Sequence, residues 1–370
     1  PLNWMRALSA HINGFYRIRK SLGHRRTERI VGLRTYVRSL GFYLRHNKRI
    51  SQIINNKSDT YIQLINWWHS QIEWEWLYHF IEHHHLNPQR KEILLFSVFG
   101  KKWMTKVRTH KIKLFFSGEN INQGGFDNYI QYADYCLEHM QLSMGFDKLD
   151  HPRYYHFPLW IRYCFEPTAT YQDVVDFVER INNINHRQTY VEATHSFTYK
   201  NQNNSKFAVL MARHDNLSNI RAPIVHLLNT VSLVSCAGPY LNNTDELKVK
   251  FNDDKLLYLK QFRYNICPEN SNHRYYTTEK IFDAIRAGCI PIYWGSEGCP
   301  EPEILNQEAI LFYDPDNPDA LLQQVRRLES DPEYYAEFIS RPPFKEDAAD
   351  KIWQMIDGLR DKLEKVINQH

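Results

Sequence analysis

The chain has 370 residues, 43% of them apolar and 24% charged, the balance of a soluble globular protein too long for one ordinary core. It lacks the run of about eighteen apolar residues that a membrane span needs. Its six cysteines (Cys136, Cys164, Cys236, Cys267, Cys289, Cys299) are widely spaced with no CxxC pair, so free thiols in a reducing compartment are expected rather than a disulfide framework.

The net charge of +4 hides an asymmetry, because residues 1–60 carry thirteen Lys/Arg against Glu28 and Asp59. That segment is +11 and the remainder −7. Within the basic arm, Leu33, Tyr36, Val37, Leu40 and Leu44 recur at helical spacing with Arg34, Arg38 and Arg45 between them, the pattern of a basic amphipathic helix. Peripheral attachment to an anionic membrane surface is the preferred reading. Packing on the body is the alternative, and nucleic acid ranks below both. The chain begins at Pro1 rather than Met, so an upstream signal or anchor stays open.

From residue 60 the pattern alternates. "YIQLIN" (61–66) and "EILLFSVFG" (92–100) read as buried strands around a Trp-rich helical segment (73–85). "KIKLFFSGEN" (111–120) reads as a third strand running into a glycine-containing turn, and "FPLWIRYCF" (157–165) closes this half. The polar stretch 171–206 reads as a connector. Beyond it, "FAVLMA" (207–212), "VSLVS" (231–235), "FRYNIC" (262–267), "CIPIYW" (289–294) and "AILFY" (309–313) are strand-like. Helical stretches at 220–229, 278–288 and 319–329 separate most of them, and a charged amphipathic helix occupies 346–370. Alternation of this kind predicts parallel, doubly wound sheets with a cleft at the carboxyl ends of the strands.

One joint stands out. "PENSNHRYYTTEK" (268–280) is a polar loop between two apolar runs, and it leads into a helix that Thr277 or Thr278 can cap and Gly288 can end. Lys280 then occupies the first turn, where the helix dipole disfavours a cation unless an anion is bound. "NLSNIRAPI" (216–224) repeats the anomaly, with Arg221 in the first turn and Asn219 or Ser218 as the expected cap. Two such starts suggest a diphosphate held between them, although neither GxGxxG nor a Walker loop is present. Two other patterns carry less weight. "HFIEH" (79–83) spells a zinc motif with no third ligand evident, and "DPD" (314–316) reads as turn and cap chemistry.

"YNICPENSNHRYYTTEKIFDAIRAGCIPIYWG" (264–295) resembles the motif of family 10 glycosyltransferases, the α-1,3/4-fucosyltransferases, at Glu269, Asn270, Ser271, Tyr276, Thr278, Glu279, Lys280, Pro291 and Gly295. "LFFSGEN" (114–120) and "SMGFDKLDHPRYYHFPLW" (143–160) resemble first-domain segments of that family, and "YLNN" (240–243) and the Arg221 helix fall in the expected order. The resemblance covers about residues 60–340 and looks nearest to bacterial members. Pro268 stands where the family usually has an aromatic residue, and the C-terminal CxxC of animal members is absent.

The resemblance implies an α/β GT-B fold, two Rossmann-like domains facing across a cleft. The expected divisions are a basic extension (1–58), an acceptor-side domain (59–172), a GDP-fucose domain (173–342) and a terminal helix (343–370). It implies inverting transfer of L-fucose from GDP-fucose to an N-acetyllactosamine-type oligosaccharide acceptor, in α-1,3 or α-1,4 linkage; the alternatives are a related GT-B transferase with a different sugar nucleotide and a non-catalytic carbohydrate- or membrane-binding scaffold. Glu119 is expected as general base. Arg221 and Lys280 would neutralise the diphosphate, and Glu279 would stabilise positive charge on the sugar. Tyr276 would contact the diphosphate and Glu269 and Asn270 the nucleoside or sugar, with Asn242 a further donor-binding residue. No metal site and no obligatory cofactor are expected, a divalent metal entering only as a stimulant. The expected location is the cytoplasmic face of a bacterial inner membrane, or the Golgi lumen had an anchor preceded Pro1. Acceptor choice is expected in first-domain loops such as 120–140.

Overall fold

The computed structural model describes residues 60–123, 129–183, 187–191, 196–200 and 204–370. The basic arm and its amphipathic pattern lie outside the described residues. Residues 58–370 group as one unit containing two five-stranded parallel sheets.

The first sheet takes β1 (Ile62–Ile65), β2 (Ile93–Phe96), β3 (Ile112–Phe116), β4 (Leu142–Gly145) and β5 (Tyr154–His156) in simple sequential order, with β1 at an edge. Every residue of β2 and β3 is buried, which is what strands covered on both faces require of their side chains. Two short antiparallel strands, β6 (Gln188–Val191) and β7 (Ser196–Tyr199), lie in the connector. The second sheet comprises β8 (Lys206–Leu210), β9 (Val234–Cys236), β10 (Phe262–Ile266), β11 (Ile290–Tyr293) and β12 (Leu311–Phe312), in the order β12-β11-β10-β8-β9. The chain leaves β8 toward β9 on one side and returns to β10 on the other. The order therefore reverses between β8 and β10, and a crevice opens at their carboxyl ends.

The described residues of the connector hold regular structure that its polarity does not suggest. Tyr171–Asn182 forms a helix that opens with a capping box between Thr170 and Asp173 and buries Val174, Phe177, Val178 and Ile181 along one face. The last helix, Ala348–Gln369, buries Ile352, Ile356, Leu359, Leu363 and Ile367 at helical spacing. It returns to the first half, where the Tyr155 hydroxyl donates to the Met355 carbonyl at 2.9 Å. The segment 157–165 is a helix over Leu159–Cys164, and the Trp160 ring stacks on Phe282 with centroids 4.2 Å apart. All six cysteines are free, four of them buried and Cys299 exposed. No helix among the described residues is long and apolar enough to cross a membrane.

Candidate active site

The site gathers at the β8/β10 crevice. The helix Arg221–Leu228 follows β8, and the helix Glu279–Arg286 follows β10 through the loop 268–278. Neither start is capped by the residue the sequence suggested. Thr278 is the N-cap position of the second helix but makes no side-chain cap bond. Its hydroxyl donates to Glu269 Oε2 at 2.7 Å and accepts from Lys280 Nζ at 2.8 Å. The first helix is capped from upstream of Asn219 and Ser218. Asp215 Oδ1 accepts from the Arg221 amide at 3.0 Å, and Asn216 Oδ1 from the Ile220 amide at 2.9 Å. Asn219 instead takes a left-handed conformation, φ 52°. Gly288 does end the second helix as expected, at φ 66°.

Glu269 is the buried keystone of this loop. Its exposure is 0%, and its two oxygens accept from the Thr278 amide (2.7 Å), the Thr278 hydroxyl (2.7 Å), Lys280 Nζ (3.1 Å) and the Tyr293 hydroxyl (3.3 Å). Expected to touch the nucleoside or sugar, Glu269 instead braces the loop from behind with no surface to offer a ligand. Gly295 makes room for it, since a Cβ there would come within 2.8 Å of Glu269 Cβ and Cγ, at a φ of 141°. Lys280 is thereby aimed by Glu269 and Thr278, with its side chain 22% exposed. Burial works against its charge, but Glu269 and then Glu279 outweigh burial and raise its pKa.

Arg221 is buried, its guanidinium donating to Asn270 Oδ1 at 3.0 Å and to the His214 carbonyl. It lies close enough to Lys280 to oppose that group's protonation, so two cations converge from adjacent strands. Asn270 thus positions Arg221. Glu279 sits 4.0 Å from Lys280. Burial would raise its carboxyl, but Lys280, the helix-start amide and Lys255 hold it below the ordinary range.

Glu119 reaches this cluster from the first half, three residues past β3. Its charge and those of Glu269 and Glu279 all surround Tyr276, whose phenol is pushed well above its usual pKa by burial first and these carboxylates second. Tyr276 is itself buried, its ring 5.1 Å from Phe146 and its hydroxyl bonded to the Asn120 backbone. It is a wedge between the two halves, not an exposed wall. The halves are clasped beside it by Asn120 Nδ2 donating to Ser271 Oγ at 2.7 Å, and by His273 against Asp147 at 3.4 Å. Asn242 is not drawn into the cluster. It is exposed, and its amide donates to the carbonyls of Cys236, Gly238 and Thr244 in its own loop.

Sequence reasoning missed Tyr163, which is 54% exposed at the cluster. Partial burial and then Glu279 push its pKa up, Glu119 adds to this, and Arg162 and Lys280 oppose it. It also missed Asp215, whose Oδ2 accepts from the Tyr240 hydroxyl at 2.5 Å. An Asp ahead of a helix start is the visible signal for the latter. Among the described residues no group of three His, Cys, Asp or Glu could hold a metal ion, and His79 of the zinc-like pattern contacts the Glu73 carbonyl at 2.8 Å.

Comparison with known proteins agrees with this layout. Residues 201–350 match the family model "Glycosyltransferase family 10 (fucosyltransferase) C-term", and residues 62–163 match "Alpha-(1,3)-fucosyltransferase FucT N-terminal domain". An alpha-(1,3)-fucosyltransferase FucT of Helicobacter pylori is 26% identical over 274 residues, 70% of this chain and 53% of that protein. Alpha-(1,3)-fucosyltransferase B of Drosophila melanogaster is 32% identical over 96 residues, 26% of this chain and 20% of its own. The chain thus spans about half, or less, of the length of the curated relatives it matches. A crystal structure of an alpha1,3-fucosyltransferase with GDP-fucose superposes with a TM-score of 0.51 at 20% identity, over 81% of this chain and 90% of that one, and so shares the GT-B fold. With both sheets inside matched regions, the chain belongs to glycosyltransferase family 10, the fucosyltransferase family.

Proposed function

We propose that this protein transfers L-fucose from GDP-fucose, with inversion, to a hydroxyl of an N-acetyllactosamine-type acceptor in α-1,3 or α-1,4 linkage. The observation that carries the reading is the convergence of Arg221, Lys280 and Glu279, at the β8/β10 crevice, with Glu119 from the other half. The acceptor hydroxyl attacks the anomeric carbon while Glu119 takes its proton. The bond to the β-phosphate oxygen breaks, and its electron pair leaves with GDP. Arg221 and Lys280 neutralise the departing diphosphate, and Glu279 offsets positive charge on the ring. With two cations already at the leaving side, a divalent metal is at most a stimulant.

The test is transfer of radiolabelled fucose from GDP-fucose to N-acetyllactosamine, with linkage analysis of the product and a parallel reaction in EDTA. Glu119→Gln should lower turnover by about 10²–10⁴-fold, the span of a general base, with donor affinity unchanged. Turnover with a different sugar nucleotide and none with GDP-fucose overturns the reading. Residues 1–58 are proposed to hold the enzyme on anionic membrane surfaces. Their deletion should abolish co-sedimentation with anionic vesicles and spare activity on soluble acceptors; retained binding refutes that role.

A further inference from the structure

Beside β1 lies a cavity of about 730 Å³ that the donor-site residues do not line. It runs along the edge strand of the first sheet and under the loop that follows, and its walls include Gln63, Trp67, Trp68, His69 and Trp74. Two tryptophans in succession and a third six residues on are unusual cargo for a solvent-facing loop. Trp68 is 67% exposed and Trp74 63%. Exposed indole of this size is costly to leave in water unless something covers it.

The cluster is built rather than adventitious. His69 sits at its centre, its ring 4.6 Å from Trp68, 5.8 Å from Trp67 and 6.0 Å from Trp74. Glu75, fully buried, lies 3.8 Å behind His69 Nε2, and also accepts from Arg162 at 2.7 Å. The opposite ring atom, His69 Nδ1, is buried with no hydrogen-bond partner among the described residues, and so is Gln63 Oε1. The cavity therefore presents indole faces, with two buried polar atoms behind its wall that lack a partner among the described residues, a combination that suits a ligand carrying both C–H faces and hydroxyls.

This cavity is tied to the strand that delivers Glu119. Trp67 donates its indole N–H to the Leu95 carbonyl at 2.7 Å and lies parallel to Phe116, centroids 6.3 Å apart at 11°. The Arg162 guanidinium covers both rings, at 5.5 and 4.6 Å. Phe116 ends β3, and Glu119 follows three residues later.

We propose that the Trp67–Trp68–Trp74 cavity is an acceptor subsite that takes a neutral hexopyranose unit adjoining the sugar that is fucosylated. A pyranose has one face of C–H groups and a rim of hydroxyls. The C–H face stacks on the electron-rich indoles of Trp68 and Trp74, and the rim hydroxyls pair with Gln63 Oε1 and His69 Nδ1 once those side chains turn toward the ligand. The inference rests on the transferase reading and moves acceptor recognition from loops such as 120–140 to residues 63–74.

The test compares N-acetyllactosamine with monomeric N-acetylglucosamine as acceptors for wild type, Trp68→Ala and Trp74→Ala. Each variant should raise the KM for the disaccharide about tenfold, with kcat within about twofold and the monosaccharide KM unmoved. GDP-fucose binding and slow hydrolysis without acceptor should stay at wild-type values. An unchanged disaccharide KM in both variants, or an equal rise for both acceptors, overturns the proposal. Intrinsic fluorescence titration with N-acetyllactosamine keeps the two claims separable. A change in wild type that Trp68→Phe and Trp74→Phe diminish supports the subsite even if no fucose is transferred, whereas no change in wild type overturns it.

Discussion

Glu269 and Lys280 illustrate what one residue's depth decides. In the sequence both looked like ligand-facing polar groups, because a motif records residue types and not how far below the surface they lie. Depth is set by a partner 26 positions away, since Gly295 leaves the space that the Glu269 side chain fills. Glu269→Gln keeps the shape but removes the charge facing Lys280. It should cost about 2–3 kcal/mol, below the 3–5 kcal/mol typical of a broken buried pair because Lys280 keeps some contact with water. Urea melts check the stability, and calorimetric titration of GDP-fucose should show weakened donor binding. Glu269→Gln with Lys280→Met should recover part of the stability but none of the donor affinity, separating the brace from the cation.

At the scale of elements, the long apolar runs were legible because strands buried on both faces advertise themselves as continuous Val, Ile, Leu and Phe. β4 and β5 were not, being four and three residues long and fixed by pairing beside β3 rather than by any pattern of their own. The helix Tyr171–Asn182 was hidden inside a polar stretch, though its Thr170/Asp173 box and the spacing of Val174, Phe177, Val178 and Ile181 were readable. Helix starts were placed correctly, but the first is capped from loop residues several positions upstream, and Thr278 at the second spends its hydroxyl on Glu269 and Lys280 rather than on a cap. Asp215 has most to do. Burial would raise its carboxyl, but the Tyr240 hydroxyl and the amides of Arg221 and Asn216 hold it below the usual range. Asp215→Ala should destabilise by about 1–2 kcal/mol, the cost of a lost cap, and loosen Arg221 so that the KM for GDP-fucose rises. Asp215→Asn, which keeps the acceptor oxygen, should restore most of the stability; equal losses in both variants would put the effect on charge, not capping.

At the scale of the whole molecule, the sequence announced two sheets but not the contacts that lock them. Trp160 crosses between them, stacking on Phe282 and donating its indole N–H to Glu301 Oε1 at 3.0 Å. Burial pushes the Glu301 carboxyl up to about 7, against smaller downward pulls from Trp160 and Lys148; Glu303 adds to the rise. A folded-state pKa above the unfolded one stabilises the protein in acid. The contribution is complete below the unfolded value, near 4.5, and is lost as pH rises through about 7. Between pH 5 and pH 8 this amounts to roughly 2 kcal/mol of stability removed from the junction. His84, His139 and His156 act in the opposite sense, since burial lowers their pKa values and favours the fold as pH rises. A wild-type melting curve alone therefore mixes the two signs, and the comparison that isolates the junction is with Glu301→Gln, which keeps an oxygen for the Trp160 indole and cannot ionise. Wild type should lose stability relative to this variant on going from pH 5 to pH 8, and Trp160 fluorescence should shift over the same range. If the difference between the two proteins is flat across that interval, Glu301 is not the group that loosens the contact between the sheets.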